Sequence, residues 1–270
     1  MGTVERYRED WPREDWTVTN RHGIGVYVDG DRLCPAATSI IEQMMRRGKL
    51  NPPIYGTDGY ERRAENPELI FWYARRLGEL AHDRIAARVD ETYDRDTQGI
   101  VRRIRRLDGL PEDVEELDVI GELYRYRDAN VRSDLVHQAE KDVGALMTAW
   151  EEWRSAFSWV VPFRAEYGML REHTQWDDVA WGLRPDLLAY DSGEVVAVCI
   201  KTGSRITDAH RMQGIVTYHS SMDIDGVEIV RLDREREWYK RETVDPQGDR
   251  YMCLYADYLD ASVRVFRSIN

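Results

Sequence analysis

The residues best placed by type and spacing to do chemistry lie in one short stretch. Asp186 follows Pro185 and precedes the apolar run Leu187–Tyr190; after a turn at Asp191–Glu194, a second apolar run ends in Lys201. Alternate residues of a strand share a face, so Val195, Ala197, Cys199 and Lys201 point the same way. A lysine closing an apolar strand is costly to bury without an anionic partner, and Asp186 on the preceding strand can meet it. Such an acid and cation at a sheet end form either a structural ion pair or a functional site. His82, one helical turn beyond Gly78, reads by itself as an ordinary surface or core histidine.

These residues need a scaffold, and hydrophobic periodicity outlines it. Residues 17–36 read as two short strands joined at Asp29-Gly30, and Ala36 to Gly48 as a short helix with Ile40, Ile41, Met44 and Met45 on one face. Residues 51–66, rich in Pro, Gly and Asp, form a loop. A helix spans Pro67 to about Val89, with Leu69, Trp72, Leu77, Leu80, Ile85 and Val89 at helical spacing and Asn66 as N-cap. The charged region 93–134 holds helices separated by Gly109-Leu110-Pro111, and a long helix follows over about Ser133–Phe157. Strands are expected around 159–166, 179–182, 185–190 and 195–201, the last apolar enough to be covered on both faces. A helix at about Asp208–Met222, two more strands and a final helix from about Arg250 to Phe266 complete the order. Trp72, Trp150, Trp153 and Trp159 are expected in the core rather than as base-stacking platforms.

Composition narrows the class. The net charge is −12, and only Lys49, Lys141, Lys201 and Lys240 among the 38 basic residues are lysine. An acidic surface disfavours loose nucleic-acid binding, so any DNA contact would be local, through arginines such as Arg102, Arg103, Arg105 and Arg106. That cluster reads first as a solvated helix face balanced by the acidic run 112–118. Cys34, Cys199 and Cys253 form no CxxC pair, which argues against a zinc ribbon or a disulfide scaffold. No signal peptide and no membrane-length apolar run is visible, so the expected compartment is cytoplasmic.

Pro185-Asp186, followed after a turn by Cys199-Ile200-Lys201-Thr202-Gly203, resembles the PD-(D/E)XK nuclease superfamily and, within it, the RecB-like exonucleases common in phages. Gly78 and His82 resemble that group's helical Gly-x-x-x-His motif, and Glu166 falls where a strand glutamate precedes the aspartate. Gln213 and Tyr218 resemble the Gln/Tyr motif on the helix after the catalytic strand. The resemblance implies a single α/β domain over 1–270 with a restriction-endonuclease-like mixed central sheet flanked by helices. An N-terminal β-hairpin, a helical elaboration at about 51–157 and a nuclease core at about 158–270 are expected. It implies phosphodiester hydrolysis with Mg2+ or Mn2+ held by His82, Asp186, the Ile200 backbone carbonyl and the side chain at position 199. Lys201 would polarise the attacking water, with Glu166, Gln213 and Tyr218 supporting the site.

Two positions depart from the pattern. Cys199 stands where the family has Asp or Glu, and a thiol is a poor magnesium ligand. The site is then dead, or works with manganese through the other ligands, or has a carboxylate from elsewhere, for which Glu166 qualifies if its strand neighbours Asp186. Tyr218 lies five residues after Gln213 instead of four, which rotates it by about 100° on a helix. The readings that follow are a DNA exonuclease of recombination, repair or phage DNA processing, or a catalytically silent relative that binds DNA or a protein. No iron–sulfur cluster is expected, since Cys34 and Cys253 cannot supply its four thiolates. A helicase or recombination partner, if any, would be a separate chain.

Overall fold

The apolar run before Lys201 needs cover on both faces, and the architecture supplies it. The structure, a computed structural model, describes residues 17–21, 24–29, 32–50, 65–91, 93, 95–127, 131–173, 175–176, 178–221 and 223–270. Strands β1 (Thr17–Arg21), β2 (Ile24–Asp29) and β3 (Arg32–Pro35) lead into helix α1 (Ala37–Arg46). Helices α2 (Pro67–Val89), α3 (Thr97–Arg105), α4 (Glu116–Arg127) and α5 (Leu135–Ala156) follow. Strands β4 (Val160–Ala165), β5 (Met169–Glu172), β6 (Ala180–Leu183), β7 (Leu187–Asp191) and β8 (Glu194–Lys201) come next. Helix α6 (Asp208–Ser220), strands β9 (Gly226–Asp233) and β10 (Trp238–Val244), and helix α7 (Asp249–Ile269) close the order.

The result is a mixed α/β protein on a five-stranded sheet ordered β10-β9-β8-β7-β4. Among the described strands of this sheet only β8 and β9 pair in parallel, and α6 makes the crossover between them. Strand alternation divides β8 between two cores. Val196, Val198 and Ile200 pack with α2, α3 and α5 residues such as Leu80, Ile104 and Trp153. Val195, Ala197 and Cys199 pack on the other side with α1, α6 and α7 residues such as Ile40, Ile215 and Tyr258. Each such aliphatic side chain contributes about 1.5–3 kcal/mol when fully buried, so the two cores hold the sheet rigid beneath the site. No helix among the described residues is long and apolar enough to cross a membrane.

Several expectations change in detail. The N-terminal hairpin gains a third strand, β1, paired antiparallel to β2. A separate two-stranded sheet, β5–β6, adds a strand at Met169–Glu172 to those expected. Asn66 makes no side-chain capping bond; Pro67, with its fixed φ, opens α2 instead. Asp134 does cap α5, accepting from the His137 N–H at 2.8 Å. Trp159 is 54 % exposed, stacked edge-on against Phe157, rather than in the core. Arg103 pairs with Asp96, not with the acidic run 112–118. The expected loop at 51–64 and Gly30 of the expected turn lie outside the described residues.

Candidate active site

Register fixes the floor of the site. Leu187 of β7 pairs with Ala165 of β4 on one side and with Val198 of β8 on the other. Asp186 therefore sits one residue before β7, between Glu166 just past β4 and the Cys199–Lys201 end of β8. The Glu166 N–H donates to the Asp186 backbone oxygen at 3.0 Å, extending the ladder by one step. Glu166 has φ 49, a left-handed conformation that costs a non-glycine residue about 1–3 kcal/mol and swings its side chain off the strand's regular alternation.

Helix α2 supplies the roof. A Cβ on Gly78 would lie 3.1 Å from the Thr202 hydroxyl, so glycine is what lets the helix approach the end of β8 this closely. His82 follows at i+4 on the same helix face. Its Nδ1 lies 3.3 Å from Asp186 Oδ1 and 3.7 Å from Glu166 Oε1. The other Asp186 oxygen, Oδ2, accepts from the Ile200 N–H at 2.6 Å and from Lys201 Nζ at 3.4 Å. Arg184 Nε meets Glu166 Oε2 at 2.8 Å. The chain of contacts Arg184–Glu166–His82–Asp186–Lys201 thus alternates in charge.

This alternation governs protonation. Burial disfavours the charged form of His82, but the two carboxylates outweigh it and push the histidine up to about 10. Burial likewise works against the Asp186 carboxylate, and Lys201 and His82 overcome it, holding Asp186 well below the usual carboxylate range. Lys201 is raised despite burial, by Asp186 above all. Without a metal the cluster is a set of ion pairs with His82 as imidazolium.

The donor set fits a divalent cation. His82, Glu166 and Asp186 each offer one ligand atom, and these atoms lie within 4.8 Å of one another. Two carboxylate oxygens and one imidazole suit manganese, which accepts nitrogen more readily than magnesium does. The cluster opens into a cavity of about 540 Å3, walled by α2 and α3 residues including Gly78, Asp83 and Arg103 on one side and by Tyr27 and Thr38 on the other.

The structure brings His82, Glu166, Asp186 and Lys201 together, with Ile200 contributing its N–H, and places Gln213 on the cavity wall. Two expected site residues lie elsewhere. Tyr218 points away, its hydroxyl accepting from Gln247 Nε2 at 3.2 Å; the five-residue spacing rotates it out, and Thr217, one turn from Gln213, lines the cavity instead. Cys199 is fully buried in the apolar core and is not one of the clustered donors; burial pushes its thiol up to about 12, so it stays neutral.

Three further residues belong to the site's surroundings. Arg184 was legible in principle, since it lies two residues before Asp186 and so shares its side of an extended chain. Thr217 is the i+4 neighbour of Gln213. His210, which with Thr207 forms the capping box of α6, is pushed down to about 4 by burial and by Lys201, so it remains neutral.

A comparison with protein-family models finds no match, and one with curated proteins finds none. Among solved structures, the chain is similar to SSO0001, with 13 % identity and a TM-score of 0.33, over 74 % of this chain and 87 % of that one. It is similar to an alkaline exonuclease, LHK-Exo from Laribacter hongkongensis, with 12 % identity and a TM-score of 0.33, over 74 % of this chain and 93 % of that one. The complex of LHK-Exo with dAMP matches at 14 % identity with the same TM-score and coverage. Likeness at this level carries no chemistry across, so the function must be argued from the site.

Proposed function

We propose that this chain is a metal-dependent DNA nuclease of the PD-(D/E)XK type, hydrolysing phosphodiester bonds at the His82–Glu166–Asp186–Lys201 cluster. One observation carries the reading: His82, Glu166 and Asp186, far apart in sequence, converge on one another where they line a cavity, and Lys201 pairs with Asp186 behind them. Their order along the chain is the order of the family motifs they resemble.

The roles follow from chemistry. Asp186, Glu166 and His82 would hold the cation, with the Ile200 carbonyl as a further oxygen at the same strand end. A divalent ion there neutralises phosphate charge and lowers the pKa of water. Asp186 is oriented by the Ile200 N–H and Lys201; Glu166 is held by Arg184. Lys201, kept protonated, is placed to stabilise charge on the phosphoryl oxygens in the transition state. Gln213 stands on the wall where the DNA backbone would pass. Glu166 supplies the second carboxylate that Cys199 cannot, so a thiol at position 199 is compatible with hydrolysis. Roles in repair, recombination or phage DNA processing, and a separate helicase partner, fit this chemistry equally.

The burial of Cys199 where the family has an acid favours the second reading, a silent scaffold that binds DNA or a protein. Incubating the full chain with linear single- and double-stranded DNA, in magnesium and then manganese, separates the two. Cleavage that disappears in Lys201→Ala supports the nuclease. Wild type inert in both metals, while Cys199→Asp cleaves, supports a nuclease scaffold that has lost a ligand. Inertness of both sinks the nuclease reading.

A further inference from the structure

We infer that Arg184 binds a backbone phosphate of the DNA beside the metal, as a substrate contact and not only as a prop for Glu166; this rests on the nuclease reading. Arginines that hold glutamates elsewhere in this chain engage both carboxylate oxygens. Arg241 donates from Nε and Nη2 to the two oxygens of Glu228, and Arg211 does the same to Glu242. Such a two-pronged clasp locks the acid and occupies the fork of the guanidinium. Arg184 treats Glu166 differently. It approaches one oxygen, with Nε 2.8 Å from Oε2, and leaves Oε1 facing His82 Nδ1 at 3.7 Å. Among the described residues none accepts a directed hydrogen bond from the Arg184 guanidinium. Its side chain is 49 % exposed and lines the cavity.

The local sequence puts the arginine there. Pro185 steers the residue before it toward an extended backbone, and in an extended chain Arg184 and Asp186 lie on one side. Burial raises the phenols of Tyr27 and Tyr93, and the charge of Arg184 works against that rise in both. The guanidinium is therefore felt across the cavity that all three residues line.

The charge balance of the site gives this cation its use. An ion that binds the His82 ring displaces the histidine proton. The carboxylates of Glu166 and Asp186 are then balanced by Arg184 and Lys201, which pair with them. The full charge of a divalent ion is left for the anionic substrate, whereas without Arg184 one carboxylate would cancel half of it. The other arginines lining the cavity pair with acids outside the metal cluster, Arg103 with Asp96 at 2.9 Å and Arg75 with Glu79 at 3.3 Å. Arg184 shares its carboxylate with the cluster, the guanidinium on Oε2 and the cation position on Oε1. A phosphate drawn to that ion meets a neighbouring guanidinium with donors to spare, whose planar fork suits the non-bridging oxygens.

The test reads DNA binding as well as cleavage. Lys201→Ala serves as the parent, so that bound DNA stays intact, with labelled oligothymidylate and blunt duplex and Mn2+ at saturation for each variant. Adding Arg184→Gln should weaken binding at least about 10-fold and flatten the plot of log affinity against log salt by about 0.7–0.9, the share of one phosphate contact. Arg184→Lys should keep the slope. Arg46→Gln, which removes the same charge from the exposed side of α1 outside the cavity, should leave both readings unchanged. If the wild type cleaves DNA but Arg184→Gln has the parent's slope, or loses no more than Arg46→Gln does, Arg184 only positions Glu166. That result overturns the inference and leaves the nuclease reading standing. An Arg184-dependent slope in a chain whose wild type cuts nothing keeps the phosphate contact and sinks the nuclease reading. Neither cleavage by the wild type nor binding by the parent overturns both.

Discussion

Glu166 and Asp186 are joined twice: the Glu166 N–H donates to the Asp186 backbone oxygen at 3.0 Å, and both carboxylates converge on Nδ1 of His82. The backbone bond fixes the spacing of the carboxylates before any ion arrives, so little ordering cost remains for binding. Removing either charge should then cost metal affinity more than stability. Glu166→Gln and Asp186→Asn are expected to weaken Mn2+ binding by at least ~10–100-fold, the loss seen even for residues that only support metal ligands. Calorimetric titration reads this directly; wild-type affinity in Glu166→Gln would remove Glu166 from the site.

The same carboxylates set a pH dependence. His82, pushed up to about 10, carries a proton at neutral pH that a cation must displace to use the ring nitrogen. Metal affinity should therefore rise with pH toward about 10, with about one proton released per ion bound. In the metal-free protein the sign for stability is opposite. A folded pKa above the unfolded 6.5 contributes stability that is fully present below 6.5 and is lost as pH rises through about 10. Titrations in two buffers of different ionisation heat measure the proton release; a heat independent of buffer contradicts the role given to His82.

Elements governed by periodicity were legible in the sequence: α2 falls at Pro67–Val89 as its apolar spacing requires, and β8 has the double-sided burial that its unbroken apolar run demands. The Asp186–Lys201 encounter was legible for the same reason, because strand alternation and a short turn leave few alternatives. What spacing could not reveal was the third dimension of the site. That Glu166 adjoins Asp186 depends on β4 pairing with β7 across an intervening two-stranded sheet, a non-local choice. The burial of Cys199 has the same origin: the core around it is gathered from α1, β6, α6, β9 and α7, and no local pattern states that they close over it. Arg184's bond to Glu166 follows only once that pairing is known.

Cys199 makes a chemical prediction of its own. Of the three cysteines, Cys253 is exposed while Cys34 and Cys199 are fully buried, and the Cys199 thiol is pushed up to about 12. Reactivity requires both access and thiolate, so the native protein should titrate one fast thiol with a disulfide reagent at pH 8, and three after unfolding in guanidinium. Two fast thiols, with Cys199 identified by peptide mapping, would show that the floor of the site opens in solution. By the same burial, Cys199→Asp should lower metal-free stability by about 3 kcal/mol or more, because a carboxylate would be placed in the core beside Asp186.

The wall formed by Tyr27 and Gly182 offers a stability test independent of catalysis. A methyl group on Gly182 would overlap the Tyr27 ring, with its Cβ 2.1 Å from Cδ2 and 2.4 Å from Cγ, and the ring is almost fully buried with nowhere to retreat. Gly182→Ala should therefore destabilise the protein by about 1–3 kcal/mol, the usual cost of overpacking. If the cost arises from this one contact, it should largely vanish in a Tyr27→Ala background, leaving an interaction energy of comparable size in the double-mutant cycle. Denaturant titrations of the four proteins decide it. Additive losses would mean that β2 does not rest on β6 at this point, and that Tyr27 and Gly182, which both line the cavity, do not form one wall of it.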